Sequence, residues 1–170
     1  MPRLPLSIES KLPQDVQAQY AIWTGSGSAL PDTYRALFAH PQAAAQIIGL
    51  GEILNSGLEP SVTLTVALTV AHERDCSVFW DSIEPFAQSA GVSNAAINGI
   101  ASGKGPRGLL PKDGIWIQFT LEILRDEVRD STWQAITHLV GDAGAVSVAL
   151  TACYYDMMVR LNSAFALESA

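Results

Sequence analysis

The segment that most constrains the fold of this chain is residues 61–75, SVTLTVALTVAHERD, because it is the strongest candidate for a strand. Val and Thr favour strands, and Thr63, Thr65 and Thr69 lie among apolar residues here. The length of the segment and the lack of nearby strand partners favour a buried helix instead. We therefore predict an all-α fold.

Helix start and stop signals divide the rest of the chain. Prolines at positions 2, 5 and 13 predict an extended arm over residues 1–13. Three glycines and two prolines make GKGPRGLLP, residues 103–111, a loop. The predicted helices span 14–24, 32–40, 42–55, 61–75, 77–90, 94–102, 112–128, 131–139 and 143–167, with Gly91 as a stop and Ser93 as a cap. The 170 residues fit one domain.

Charge and composition exclude some partners and favour another. The chain has 17 acidic and 10 basic residues, a net charge of -7, and no run of Lys or Arg. A phosphate backbone or an anionic membrane surface would repel it, so we expect no nucleic-acid or membrane partner. Apolar residues make up 48% and charged residues 16%, a balance more apolar than usual that predicts a subunit interface and a homo-oligomer.

The cysteines and the apolar stretches bear on location and metal content. Cys76 and Cys153 form no CxxC pair, so neither a disulfide scaffold nor a zinc site is expected. The first 13 residues do not read as a signal peptide. The longest apolar stretches, near 62–71 and 143–153, are shorter than the ~20 residues of a membrane span. We expect a cytoplasmic protein.

Motifs along the chain resemble the carboxymuconolactone decarboxylase-like family, which shares its helical fold with the alkylhydroperoxidase D proteins. The resemblance covers nearly the whole chain and rests on the joint order of its motifs. Those motifs are Pro2-Arg3-Leu4, Tyr34-Arg35-Ala36-Leu37, His40-Pro41, Val70-Ala71, Cys76, Trp80, Glu84-Pro85, Ala87, Ala90-Gly91-Val92-Ser93, Leu124-Arg125-Asp126 and 154–162. The resemblance implies a cofactor-free enzyme acting on a small molecule, assembled as a trimer or hexamer.

The positions that carry the family's redox chemistry are altered in this chain. Redox members have a Glu twelve residues before the first Cys, a second Cys three residues after it, and a His seven residues after it. The decarboxylase-like members generally keep that His. Here the three positions hold Leu64, Phe79 and Ile83, and Cys76 alone remains. These side chains neither donate nor accept a proton, so the family mechanism does not carry over intact.

Cys76 and His72 are the first candidates for catalysis. They are four residues apart and share a face if the helix continues that far. A neighbouring His can activate a thiol or act as the acid/base group itself. The alternative is a small packed Cys beside a His at a helix end. By the resemblance, Leu64, Phe79 and Ile83 line an apolar pocket beside Cys76, with His72 as its acid/base group.

Other candidates lie on two later helices. Asp81 and Glu84, beside Trp80, are three apart and could act as acid and base, although a solvated acidic face is the preferred interpretation. Tyr155 and Arg160 could orient a carbonyl or carboxylate group of a substrate. They could equally contact a neighbouring subunit.

Two functions from different classes follow from these candidates. The first is a cofactor-free, non-redox enzyme that acts on a hydrophobic small molecule, such as a decarboxylase or other lyase, an isomerase or a cyclase. The second is a non-catalytic oligomeric binding protein that keeps the fold. A thiol peroxidase is disfavoured, because the second Cys, the Glu and the His are missing.

Overall fold

The computed structural model describes residues 2–6, 14, 17 and 32–167. This part of the chain contains helices and no strand, so the all-α prediction is confirmed. The predicted arm and the predicted helix 14–24 fall largely outside the described residues, although Gln14 and Gln17 are helical. The helices are α1 (Asp32–Leu37), α2 (Pro41–Gly57), α3 (Pro60–Glu73), α4 (Ser77–Ser89), α5 (Asn94–Ala101), α6 (Pro111–Leu124) and α7 (Asp130–Ala164).

The chain divides into two compact units. The first comprises residues 1–52 and 160–170. Its buried apolar cluster is formed by Phe38, Ala44 and Ile48. In the same unit the Thr33 hydroxyl donates to Asn162 Oδ1 at 3.0 Å in a buried hydrogen bond.

The second unit, residues 53–159, is built around α3. Nine of the fourteen residues of α3 are buried, and the helix packs against α4, α5 and α6. Two of the three threonines that favour a strand are accommodated by bonds to the preceding turn, whereas the buried Thr63 hydroxyl has no partner among the described residues. Thr65 Oγ1 donates to the Ser61 carbonyl at 2.7 Å, and Thr69 Oγ1 donates to the Thr65 carbonyl at 2.8 Å. Burial therefore overrides intrinsic preference in this segment.

Helix α7 is longer than predicted, because the segments 131–139 and 143–167 continue across a local break. Gly141 has φ 71° and ψ 176°, which is not helical. Among the described residues, α7 alone is long and apolar enough to cross a membrane. Val148, Ala152 and Met158 of α7 are buried, and 28% of its most apolar 18-residue stretch is buried in all.

Five helices end with one shared backbone motif. In α3 the Cys76 amide donates to the Ala71 carbonyl and the Asp75 amide to the His72 carbonyl. The ends of α4, α5, α6 and α7 repeat this pair of bonds, which satisfies the last carbonyls of each helix. The left-handed residue of the motif is Asp75, Gly91, Gly103, Asp126 or Ala166, with φ between 51° and 87°.

Candidate functional site

The turn between α3 and α4 is held by two ion pairs within the second unit. Arg74 Nε donates to Asp156 Oδ1 of α7 at 2.6 Å. Arg125, just after α6, donates to Glu73 Oε1 at 2.9 Å through Nε. Between them Asp75 takes a left-handed conformation, with φ 51°. The turn is therefore fixed from α6 and α7.

Cys76 lies at the N-terminus of α4, with 2% of its surface exposed. It shares a buried cluster with Val70 and Val159, against which Phe79, Leu124 and Tyr155 pack. His72 and Cys76 would share one helical face only if α3 continued to Cys76, but α3 ends at Glu73 and the left-handed Asp75 follows it. Cys76 is thus a packed residue at a helix junction.

His72, in the last turn of α3, is half-buried and faces a small cavity. Its ring meets the Trp80 ring edge to face, with centroids 6.2 Å apart. The cavity has a volume of about 40 Å³, room for a water molecule. It is lined by Thr69, His72, Glu73, Ile100, Gly103, Gly105, Ile117, Leu121 and Arg125.

The His72 side chain forms no hydrogen bond and no ion pair within the part of the chain that the structure describes. Both ring nitrogens are then available to a water or a ligand. An imidazole is one of the side chains that enzymes use for general acid/base catalysis. The acid/base role of His72 stays a prediction.

Trp80 connects His72 with one of the predicted carboxylates. Trp80 Nε1 donates to Glu84 Oε2 at 2.8 Å, and Gln88 Nε2 donates to Glu84 Oε1 at 3.3 Å. Asp81 is exposed. Glu84 therefore holds the indole ring that touches His72, while Asp81 faces solvent.

The apolar residues expected around Cys76 meet in the core of the second unit. Ile83 is buried in a cluster formed by α3, α4, α5 and α6, and Leu64, Phe79, Trp80 and Tyr155 pack against that cluster. The Tyr155 ring also lies edge to face against Tyr154, at 5.7 Å. The substrate-binding role of these residues stays a prediction, as does that of Arg160, an exposed residue of the first unit.

The second cysteine, Cys153, is exposed on α7, and both cysteines are free thiols. Partial burial, followed by the negative charges of Asp156 and Asp126, raises the pKa of the Cys153 thiol above its ordinary value. A thiol with a raised pKa is a poor nucleophile at neutral pH. No group of three metal-binding side chains occurs among the described residues.

A larger cleft adjoins the His72 cavity, and sequence reasoning missed it. The cleft has a volume of about 590 Å³ and shares Gly103, Gly105, Leu121 and Arg125 with the cavity. Lys104, Arg107 and Arg129 line the rest of it, together with Pro106, Gln118, Glu122 and Glu127. The available signal was the pair of basic residues in the loop 103–107, followed by two arginines four residues apart.

Glu122 organises one wall of this cleft and is almost fully buried, with 7% of its side chain exposed. Its carboxylate accepts from Gln118 Nε2 at 2.6 Å, from Arg129 Nε at 2.6 Å and from Thr132 Oγ1 at 3.0 Å. Burial raises the pKa of Glu122, but these bonds and the Arg129 amide outweigh burial and hold the pKa below its ordinary value. Glu122 is therefore ionised at neutral pH.

Comparisons with known proteins identify the fold. No family model matches this sequence. No curated protein matches it either. Among solved structures, the chain is similar to an alkylhydroperoxidase AhpD core, an uncharacterized peroxidase-related protein from Ralstonia eutropha JMP134. The TM-score is 0.80 at 14% identity, over 97% of this chain and 90% of that chain. The predicted AhpD-like helical fold is confirmed.

Proposed function

We propose that this protein is a cofactor-free, non-redox enzyme that acts on a small organic molecule, with His72 as its acid/base group. The supporting observation is the His72 imidazole, which lines a cavity and has no hydrogen-bond partner among the described residues. Nearby apolar residues, Ile100, Ile117 and Leu121, suit a hydrophobic portion of the substrate. The reaction classes that need such a group and no cofactor are decarboxylation, isomerisation, elimination and cyclisation.

Thiol redox chemistry is disfavoured by the surroundings of both cysteines. Cys76 is buried beside Phe79, at the position where redox members carry their second Cys. Cys153 is exposed, but its pKa is raised. We expect no thiol-dependent turnover of an organic hydroperoxide. Turnover that Cys76→Ser abolishes would overturn the non-redox assignment.

The proposal is tested with a panel of small lactones, β-keto acids and unsaturated carboxylic acids, followed by proton NMR. We expect at least one compound to be converted by the wild-type protein and not by His72→Ala. Thermal unfolding of the variant serves as a control for folding. If no class in the panel is converted, or if His72→Ala converts it equally well, the assignment is wrong.

The second candidate, a non-catalytic oligomeric binding protein, is favoured by the close packing around Cys76. Its 2% exposure leaves the position of the family's reactive thiol without access to solvent. Under this candidate, compounds would bind near His72 and remain unconverted. The NMR panel therefore also separates the two functions, because binding without turnover broadens or shifts ligand signals.

We also propose that the protein is a homo-oligomer. On α7, Ala143, Val146, Leu150 and Cys153 are exposed at spacings of three and four residues, which places them on one face. Val146 is 49% exposed and Leu150 45% exposed. An apolar stripe with this spacing resembles the contact seam of paired helices, and a second copy of the chain would cover it.

A further inference from the structure

The cleft beside His72 concentrates positive charge on an acidic protein. Lys104, Arg107, Arg125 and Arg129 line it, and these are four of the ten basic residues of a chain whose net charge is -7. The three carboxylates that line the cleft or pair with its arginines are Glu73, Glu122 and Glu127. The cleft therefore keeps a net positive charge and attracts anions.

Two of the four cations are already committed to carboxylates. Arg125 pairs with Glu73 at 2.8 Å, and Arg129 pairs with the buried Glu122. Lys104 and Arg107 are exposed and form no ion pair with any described residue. The fixed arginines thus shape the wall of the cleft, while the two loop cations are free to meet a ligand.

The loop between α5 and α6 suits the close approach of a compact anion. Gly103 and Gly105 line the cleft without side chains, and their φ angles of 67° and 60° suit glycine. A Lys ammonium is a point charge and an Arg guanidinium a planar fork, and together they complement the several oxygens of a phosphate group. A phosphate monoester carries about -1.5 to -2 charges at neutral pH, which matches two unpaired cations.

We propose that this cleft binds a small organic molecule bearing a phosphate group, with Lys104 and Arg107 as the phosphate-binding side chains. The volume of about 590 Å³ accommodates a ligand of metabolite size. Pro106 and Leu121 provide apolar surface for its organic portion. Long polyanions such as nucleic acid are disfavoured, because the rest of the chain is acidic.

The cleft and the His72 cavity meet at Gly103, Gly105, Leu121 and Arg125. A phosphate held by the loop cations would leave the remainder of the ligand free to extend towards His72. Binding in the cleft requires no chemistry at His72, so this proposal and the proposed function can fail separately.

Phenyl phosphate and inorganic pyrophosphate are the probes, and isothermal titration calorimetry on the full chain gives their dissociation constants. We expect both to bind in the low millimolar range or tighter. The double variant Lys104→Gln/Arg107→Gln should weaken binding at least about tenfold, since each charge-assisted hydrogen bond contributes about that factor. Both residues are exposed, so the variant should unfold at the wild-type temperature.

Lys112→Gln is the matched control, because Lys112 is an exposed lysine of α6 that does not line the cleft. It should leave both dissociation constants within about twofold. An equal loss of affinity in Lys112→Gln would indicate non-specific attraction to surface charge and would overturn the proposal. Citrate, a carboxylate anion of similar charge, should bind more weakly than pyrophosphate. Equal binding of citrate, or no binding of either phosphate probe, would also overturn it.

Discussion

The α3–α4 junction and the cleft beyond His72 are two regions of one unit with opposite character. At the junction, Cys76 is enclosed by apolar side chains with 2% of its surface exposed. In the cleft, charged side chains surround about 590 Å³ of open space. His72 belongs to both regions, because its ring touches Trp80 of α4 and also lines the cavity that opens to the cleft. A histidine that lines a cavity and an enclosed thiol therefore occur at the same helix junction.

The largest expected effect concerns access to the thiol. In a Cys153→Ser variant, Cys76 should react with a disulfide reagent at least about 10³-fold more slowly than glutathione, because the buried thiol must await local opening. Stopped-flow absorbance measures the rate, and full reaction in denaturant is the control. Reaction at the rate of a free thiol would show that the α3–α4 junction is open. The junction and the cleft would then not differ in access to solvent.

The next effect compares the two candidates for catalysis directly. With a substrate identified from the NMR panel, His72→Ala should lower kcat/KM about 10²-fold, as expected for a lost acid/base group. Cys76→Ala should change kcat/KM far less, because Cys76 is buried in a cluster with Val70 and Val159 and does not line the cavity. A loss within about twofold for His72→Ala would show that His72 is not the acid/base group.

A substitution of Glu122 measures how much one buried carboxylate in the cleft wall contributes to stability. Glu122→Gln should lower the free energy of unfolding by about 2–3 kcal/mol, because it weakens charged hydrogen bonds to Arg129, Gln118 and Thr132. The folded-state pKa of Glu122 is lowered, so its contribution to the free energy of unfolding is complete above the ordinary carboxyl pKa and is lost as pH falls through the folded-state pKa.

The measurement is urea unfolding of the wild type and of Glu122→Gln between neutral and acidic pH. The difference between the two free energies of unfolding should be constant near neutral pH and should shrink on acidification below the ordinary carboxyl pKa. A difference that grows on acidification would contradict the direction of the pKa shift.

The smallest effect concerns a third surface, the exposed apolar stripe of α7 formed by Ala143, Val146, Leu150 and Cys153. Light scattering should give a mass above that of one chain. Leu150→Glu should weaken self-association about tenfold or more, because it places a charge within an apolar contact. Cys153 lies on the same stripe and should be alkylated faster in this variant. Val128→Glu, at another exposed apolar residue, is the control.

The sequence predicts the helices well where local signals are explicit. Gly91 ends α4 with φ 87°, and the Ser93 hydroxyl accepts from the Ala96 amide at 3.1 Å to begin α5. The buried helix at 61–75 also follows from length and from the absence of a strand partner. The end of α3 was missed, because its left-handed residue is Asp75 and aspartate gives no clear stop signal.

The site was harder to predict than the fold, because it depends on contacts between distant segments. Lys104 and Arg107 precede Arg125 by about twenty residues, and only the packing of α5 and α6 brings them to one cleft. The loop 103–107 lacks the spacing of a known phosphate loop, so motif matching rejects it. Of the altered positions, Phe79 packs against the buried cluster of Cys76, whereas Leu64 and Ile83 lie in the neighbouring core cluster, so the pocket predicted from them stays a prediction.

The shared helix-end motif also identifies positions where a substitution could raise the free energy of unfolding. A left-handed conformation costs a residue with a Cβ about 1 kcal/mol relative to glycine. Asp75, Asp126 and Ala166 all adopt it, and the alanine has no side-chain hydrogen bond to offset the strain. We therefore expect Ala166→Gly to raise the unfolding temperature. Position 166 is far along the chain from His72 and the loop cations. Variants at those positions that fold poorly on their own become accessible to study in such a background.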